Sequence, residues 1–409
     1  MTTQDRSAPS RPWLIALPTA AVVVLGAIWS GLWYYASNKA EATLATWRAR
    51  EADAGRVYGC AKEGFGGYPF RIEVACTGPS VDDRNMAMSI RARNLAAVAQ
   101  VWDPTLLIAE IAAPVTVAPL EGEPNATIDW MLAQASLRGT PRAPERLSVV
   151  IEKPIVSPAP AAAVVAAPPG GAGPLARGDR LEFHAQFSPE SAPGHPVIDL
   201  KLDATGFTAP ALATLGPPVG SLAAASTDAS IVAVLRGASD VALKPLPQRL
   251  RDLAAADGRL EITNARLQQG DLIATLSGPL AVTPRGTLNG EFQLVVVNFA
   301  KLVPLLGIDR AVAQFVPQDT INRFAPTLDR FLPGLGGILR GANGGGGGGS
   351  GGGNANAAAF AGAAALGAVA LGGHETELEG QRAIALTLRI DDGAVYLGPL
   401  KVGQIPPLN

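Results

Sequence analysis

Along most of this chain apolar and polar residues alternate in short runs, the period of a strand that buries one face. Phe70, Ile72 and Val74 alternate with Arg71, Glu73 and Ala75. The same rhythm returns in Met86, Met88 and Ile90, in Leu147, Val149 and Ile151, and in Leu181, Phe183, Ala185 and Phe187. Ile198, Leu200 and Leu202 continue it, and another run follows around Ile231. "TLLIAEIAAPVTV" reads as two strands broken at Pro114. The clearest passage runs from Gly258 to Asn298, where Gly or Gly-Pro interrupts alternating runs at roughly 8–12-residue spacing, as in an antiparallel meander. Asp391-Asp392-Gly393 makes the turn of a closing hairpin. The expected fold is therefore mainly β with some helix (α+β): an elongated antiparallel meander carrying a few amphipathic helices and low-complexity loops.

Three kinds of segment break the rhythm. Pro12 to Asn38 contains no charged residue. At 1.5 Å per helical residue it is long enough to cross a hydrocarbon core of about 30 Å. Arg6 and Arg11 precede it, and Trp29, Trp33, Tyr34 and Tyr35 crowd its far end, where amphipathic rings suit the membrane interface. A cleaved signal peptide would have a shorter apolar core and a small-x-small site, which "YYASNKA" matches poorly. The expected order is a cytoplasmic tail over 1–11, a transmembrane anchor over 12–36, a juxtamembrane helix over 37–57 ended by Gly55, and a β-rich domain over 58–409. Helical spacing also marks "LPQRLRDLAAADG" and the stretch Phe299 to Leu339, where Ile321, Phe324, Leu328 and Phe331 recur. Two low-complexity insertions, 156–178 and 341–373, are rich in Ala, Pro and Gly and are expected to be flexible loops inside the domain.

Composition removes some functions. The net charge is −2 and no basic run stands out, which argues against nucleic acid as a partner. The two cysteines, Cys60 and Cys76, lie beyond the anchor, where an oxidising compartment favours a disulfide. Closing a loop of that size stabilises by about 3 kcal/mol in the chain-entropy description. Two thiols without neighbouring histidines make an incomplete metal site, and CxxC spacing is absent.

The motifs that carry chemistry elsewhere carry none here. Gly348 to Gly352 matches G-x-S-x-G but has glycine on both sides instead of a strand and a helix. "GFGGYPFR" could suggest a phosphate loop, yet it lacks the lysine and leads into a strand. Gly66, Gly67, Pro69, Phe70 and Arg71 are better read as a turn-and-strand motif that opens the domain and ties its first strand to the preceding helix. His184, His195 and His374 are far apart, and His184 should point away from the face of Phe183 and Phe187. Asp82-Asp83 and Asp391-Asp392 suit turn and cap chemistry. Asn125-Ala126-Thr127 fits a glycosylation sequon of little specificity. No catalytic, metal-binding or cofactor-binding residue is assigned, and no cofactor is expected. The candidate ligand surface is apolar: Leu288, Phe292, Leu294 and Val296 on one strand face, suited to an acyl chain, with an ordinary sandwich core as the competing account.

The anchor, the tryptophan of the following helix, "YGCAKEGFGGYPFRIEVAC", "AQVWDPTLLIAEIAAPVTV" and "DDGAVYLGPLKVGQIPPL" together resemble the bacterial domain-of-unknown-function 2125 family. That resemblance implies a single-pass protein of the inner membrane of Gram-negative bacteria, with its amino terminus in the cytoplasm and its domain in the periplasm. It supplies no catalytic residues. The G-x-L-x-I and L-x-G-x-L grammar is also similar to AsmA-like envelope proteins, which are linked to lipid movement. The expected function is a non-enzymatic envelope protein, bound to the bilayer through residues 12–36, that binds lipid or assists envelope assembly. A protein-binding scaffold and a hydrolase with an unrecognised acid–base pair are the alternatives.

Overall fold

The computed structural model describes residues 12–140, 143–159, 173–192, 196–211, 225–238, 246–299 and 372–408. One unbroken helix, α1 (Pro12–Asp53), runs through both the segment expected as an anchor (12–36) and most of the juxtamembrane segment (37–57). Gly55, at φ +87°, closes it by donating its N–H to the Ala52 carbonyl, and the chain is extended by Arg56. Among the described residues this one helix is long and apolar enough to cross a membrane.

The rest is an antiparallel sheet in which almost every strand pairs with its neighbours in sequence. β1 (Arg56–Gly66) pairs with β2 (Arg71–Asp83), β2 with β3 (Met88–Gln100), and β3 with β4 (Asp103–Pro119). The next rows are built from strand pieces set end to end. β5 (Ala126–Asp129) and β6 (Leu132–Thr140) both pair with β4. β7 (Ala143–Glu152) pairs with β6, and β8 (Ile155–Pro158) with β5. β9 (Ala176–Arg177) and β10 (Arg180–Phe187) follow on β8 and β7. β11 (Val197–Phe207), β12 (Thr227–Arg236), β13 (Arg259–Gln269), β14 (Leu272–Val282) and β15 (Leu288–Val297) continue the meander. β16 (His374–Leu378) and β18 (Ala394–Leu397) pair with β17 (Gln381–Asp391), which pairs with β15; β19 (Leu400–Gln404) pairs with β18. Among the described residues β1 pairs with β2 alone, so no pairing closes the sheet.

Several local expectations change. β1 lies in a glycine- and charge-rich stretch whose sequence shows no alternation, because its partner β2 supplies the ladder. The strand at Phe70 begins one residue later, at Arg71, so Phe70 sits in the turn and is 59% exposed while Ile72 is buried. Pro114 does not break β4; a register shift between Ala92 and Asn94 of β3 gives the proline, which lacks an N–H, an unpaired place. Of the few amphipathic helices expected, one, α2 (Leu246–Ala255), lies among the described residues. The helical stretch 299–339 falls almost wholly outside them. The insertion expected over 156–178 contains β8 and β9 at its ends, and 160–172 lies outside the described residues, as do 1–11, His195, Gly348 to Gly352 and most of 341–373.

α1 lies along the β1–β2 hairpin. Trp47 packs at a tilt against Tyr58, ring centroids 4.6 Å apart, and burial raises the Tyr58 hydroxyl above its usual pKa, helped by nearby Glu51. Arg48 makes two bonds to Glu63 at 2.8 Å, and Arg56 bonds Glu51 at 2.6 Å. At the far end Asn85 Nδ2 donates to the Ala54 carbonyl. The disulfide Cys60–Cys76 joins β1 to β2.

Candidate functional site

Directly paired residues in an antiparallel sheet project from the same face, so the registers show which side chains form a continuous surface. Phe65 stands opposite Val74, Val74 opposite Ala97, and Ala97 opposite Ala109. Ala109 then faces Ala135, Ala135 faces Val149, and Val149 faces Phe183. From Phe183 the row passes through Leu202, Ile231 and Ala265 to Leu276, Leu294 and Leu386. Every position is apolar from β1 to β17. Twelve interstrand steps at about 4.8 Å make a row on the order of 55–60 Å long.

The flanking rows match it. Ile72, Ala99, Leu107, Leu137 and Leu147 lead through Ala185, Leu200, Ala233 and Ile262 on one side. Ile151, Leu181, Ala204, Ala229, Leu267, Ala274, Val296 and Ile384 form the other. Between β6 and β12 only Ala133 and Ala233 of this face are buried; Val149, Phe183, Leu202 and Ile231 are half-buried. Three rows at the ordinary strand spacing span on the order of 1,000 Å² of sheet, part of it packed.

The opposite face of the same strands is mainly polar, with Val150, Val232 and Val234 interspersed among charged residues. His184 lies between Ser148 and Lys201, while Glu182 faces Asp203, Asp203 faces Ser230, and Ser230 faces Arg266. Lys201 bonds Asp203, Arg236 bonds Glu261, and Arg266 bonds Glu379 with two contacts. Hydrogen bonds from Arg180, Arg236 and Arg266 hold the Glu182, Glu261 and Glu379 carboxyls below their usual pKa. These contacts satisfy charges on a solvated face and assemble no nucleophile and base.

The named candidates fall at different places. Phe292 and Val296 are almost fully buried, at 3% and 0% exposure, whereas Leu288 and Leu294 are half-buried. The Phe292 ring lies over Gly278 and Gly290, so this end of the apolar face is packed; along β6–β12 the row residues are half-buried, and Leu107 on β4 is exposed. A cleft of about 210 Å³ beside His374 is lined by Glu291, Gln293 and Thr387. His184 accepts or donates a 2.9 Å bond with Ser148 Oγ and lies on the polar face, opposite to Phe183. Asp83 Oδ1 accepts the N–H groups of Asn85 and Met86, closing the β2–β3 turn, and Asp392 accepts from Thr287 and pairs with Arg285. Among the described residues no group of His, Cys, Asp and Glu could hold a metal ion.

The turn-and-strand motif has a role that its residue types only partly suggested. Gly66 ends β1, and Gly67, at φ +97°, accepts the Arg71 N–H in the turn. The turn then meets α1: Trp29 Nε1 donates to the Pro69 carbonyl and Trp33 Nε1 to the Arg71 carbonyl, both at 2.8 Å. Ser30 Oγ and the Tyr68 hydroxyl are 2.9 Å apart. Phe70 joins Trp29 to Trp102 through ring contacts of 6.4 and 6.3 Å.

No curated protein matches this chain. A family profile described as "uncharacterized protein conserved in bacteria (DUF2125)" matches residues 33–406, which takes in the hairpin turn, the disulfide and the whole meander. The chain therefore belongs to the domain-of-unknown-function 2125 family of bacteria.

Proposed function

We propose that the protein is a non-enzymatic, membrane-anchored component of the bacterial cell envelope that binds lipid acyl chains along the apolar face of its sheet. The register-matched row from Phe65 to Leu386 carries this reading. Its length exceeds that of one extended acyl chain, its middle is half-buried, and its reverse side carries most of the charged residues of these strands. Those features suit an elongated apolar ligand lying across strands. Arg6 and Arg11 ahead of the apolar helix favour a cytoplasmic amino terminus, and the Cys60–Cys76 disulfide suits the oxidising periplasm for the sheet domain.

The test places a photo-reactive residue at Phe183 or Leu202, and for comparison at His184 or Lys201, in the full-length protein in cells. Lipid-mass adducts at Phe183 and Leu202, absent at His184 and Lys201, are the expected result. Protein adducts in their place would favour a scaffold, and equal labelling of the two faces would overturn the reading.

A further inference from the structure

The Gly67–Phe70 turn between β1 and β2 and the Val101–Trp102 turn between β3 and β4 are neighbours, since Val101 N–H donates to the Phe70 carbonyl at 3.1 Å. Both carry large rings on the outside: Tyr68, Phe70 and Trp102 are 58–60% exposed. They cluster where Trp29 and Trp33 of α1 bind the first turn. On the amino-terminal side of this clamp Val22, Val23, Val24, Leu25 and Ile28 are all more than half exposed. Beyond it the helix lies along the β1–β2 hairpin to its end at Asp53, where the next residue, Ala54, accepts a bond from Asn85.

Length sets where the clamp falls. From Pro12 to Trp33 the helix rises about 32 Å at ~1.5 Å per residue, close to the thickness of a hydrocarbon core. A bilayer around the free part of α1 therefore ends at the level of Trp29 and Trp33. The two turns are fixed to that level with no linker between helix and domain. Tyrosine and tryptophan, each with an apolar body and a polar tip, favour that depth. Arg71 and Asp103, next in sequence to the exposed rings, keep polar groups at the same height.

We infer that the β1–β2 and β3–β4 turns form an aromatic foot, made by Tyr68, Phe70 and Trp102, that sits in the interfacial layer of the bilayer crossed by α1. The partner is the lipid surface itself. The inference rests on the reading of α1 as a membrane anchor. It adds a second contact that holds the sheet upright on the membrane and brings Ile72, where one apolar row starts, to the bilayer surface.

The test uses the full chain in nanodiscs of phosphatidylethanolamine and phosphatidylglycerol. Spin labels are attached one at a time to Tyr68→Cys, Trp102→Cys, Met86→Cys and Val23→Cys, with Cys60 and Cys76 closed in their disulfide. Relaxation by oxygen, which partitions into lipid, is compared with relaxation by a water-soluble nickel chelate. Met86 is exposed in the β2–β3 turn at the other end of the hairpin and serves as the water-side reference. Oxygen should dominate at positions 68 and 102, and the nickel chelate at position 86. A nickel response at 68 and 102 equal to that at 86 overturns the foot and leaves the rings as a surface for a protein partner. Loss of the oxygen response at Val23 would instead overturn the anchor reading on which the foot depends. Should Trp102→Cys fail to fold, Gln100→Cys, exposed at the end of β3, reports the same height with the ring intact.

Discussion

Trp33 donates its indole N–H to the backbone carbonyl of Arg71 at 2.8 Å, which joins the long apolar helix α1 to the first residue of β2. Trp29 makes the same bond to Pro69 one helical turn earlier. The pair gives the domain a defined height on the helix.

Replacing Trp29→Phe and Trp33→Phe together leaves one aromatic ring at each position and removes both donors. Each bond should be worth about 1 kcal/mol. The loss should be local, with faster amide exchange at Arg71 and Val101 and little change in β10–β13. Hydrogen exchange in detergent micelles checks this, and uniform loosening of the sheet would argue against a local clamp.

The Cys60–Cys76 bridge closes a loop spanning the β1–β2 turn. Cys60→Ser and Cys76→Ser should each cost about 3 kcal/mol, and the double variant no more than either alone. Denaturant titration of the three variants measures this, and additive losses would show that each cysteine acts through its own packing.

Gly278 adopts φ +148° and lies beneath the Phe292 ring, where a Cβ would run into the Glu291 carbonyl and the aromatic edge. Gly278→Ala should destabilise by about 2–4 kcal/mol through strain and displacement of that ring. Phe292→Ala should cost about 3–5 kcal/mol. Thermal unfolding of both variants gives the values, and a Phe292→Ala protein of undiminished stability would make that residue a lining of open space instead of core.

Arginine hydrogen bonds lower the pKa of Glu182, Glu261 and Glu379 from an ordinary value near 4.5. A depressed folded-state pKa stabilises above the unfolded value, and that contribution disappears as pH falls through the folded one. Stability should therefore stay level from neutral pH down to about 5 and decline below about 4.5. The fall should be shallower in Glu261→Gln, because solvent screens these exposed pairs and each contributes little. Unfolding midpoints measured across that pH range test the sign.

Much of the fold was legible because it depends on local patterns. Strand alternation in "RLEFHAQFS" and "VIDLKLDA" predicted β10 and β11, and the position of His184 opposite Phe183 followed from the period alone. β1 was hidden, since Gly59, Gly64 and Gly66 leave no apolar rhythm. Phe70 was misplaced into the strand because alternation cannot tell a strand's first residue from a turn's last. Of the apolar residues Leu288, Phe292, Leu294 and Val296, Phe292 and Val296 are buried while Leu288 and Leu294 are half-buried, a difference that residues equally apolar in sequence do not announce.

The sequence by itself determined a charge-free helix long enough for a bilayer, a cysteine pair near the start of the domain, and strands with one apolar side each. Those properties reside in neighbouring residues, where hydropathy and the pleat act over a few positions. Only the tertiary structure decided that the apolar sides join into one face. That depends on register, which is set by turns and bulges. At Thr263 and Asn264 the alternation of Leu260 and Ile262 breaks, yet register shifts with both β12 and β14 bring Ala265 and Leu267 onto the same face. The meeting of Trp33 with Arg71 likewise needs the hairpin to fold back along the helix, a relationship between distant residues that no local period encodes.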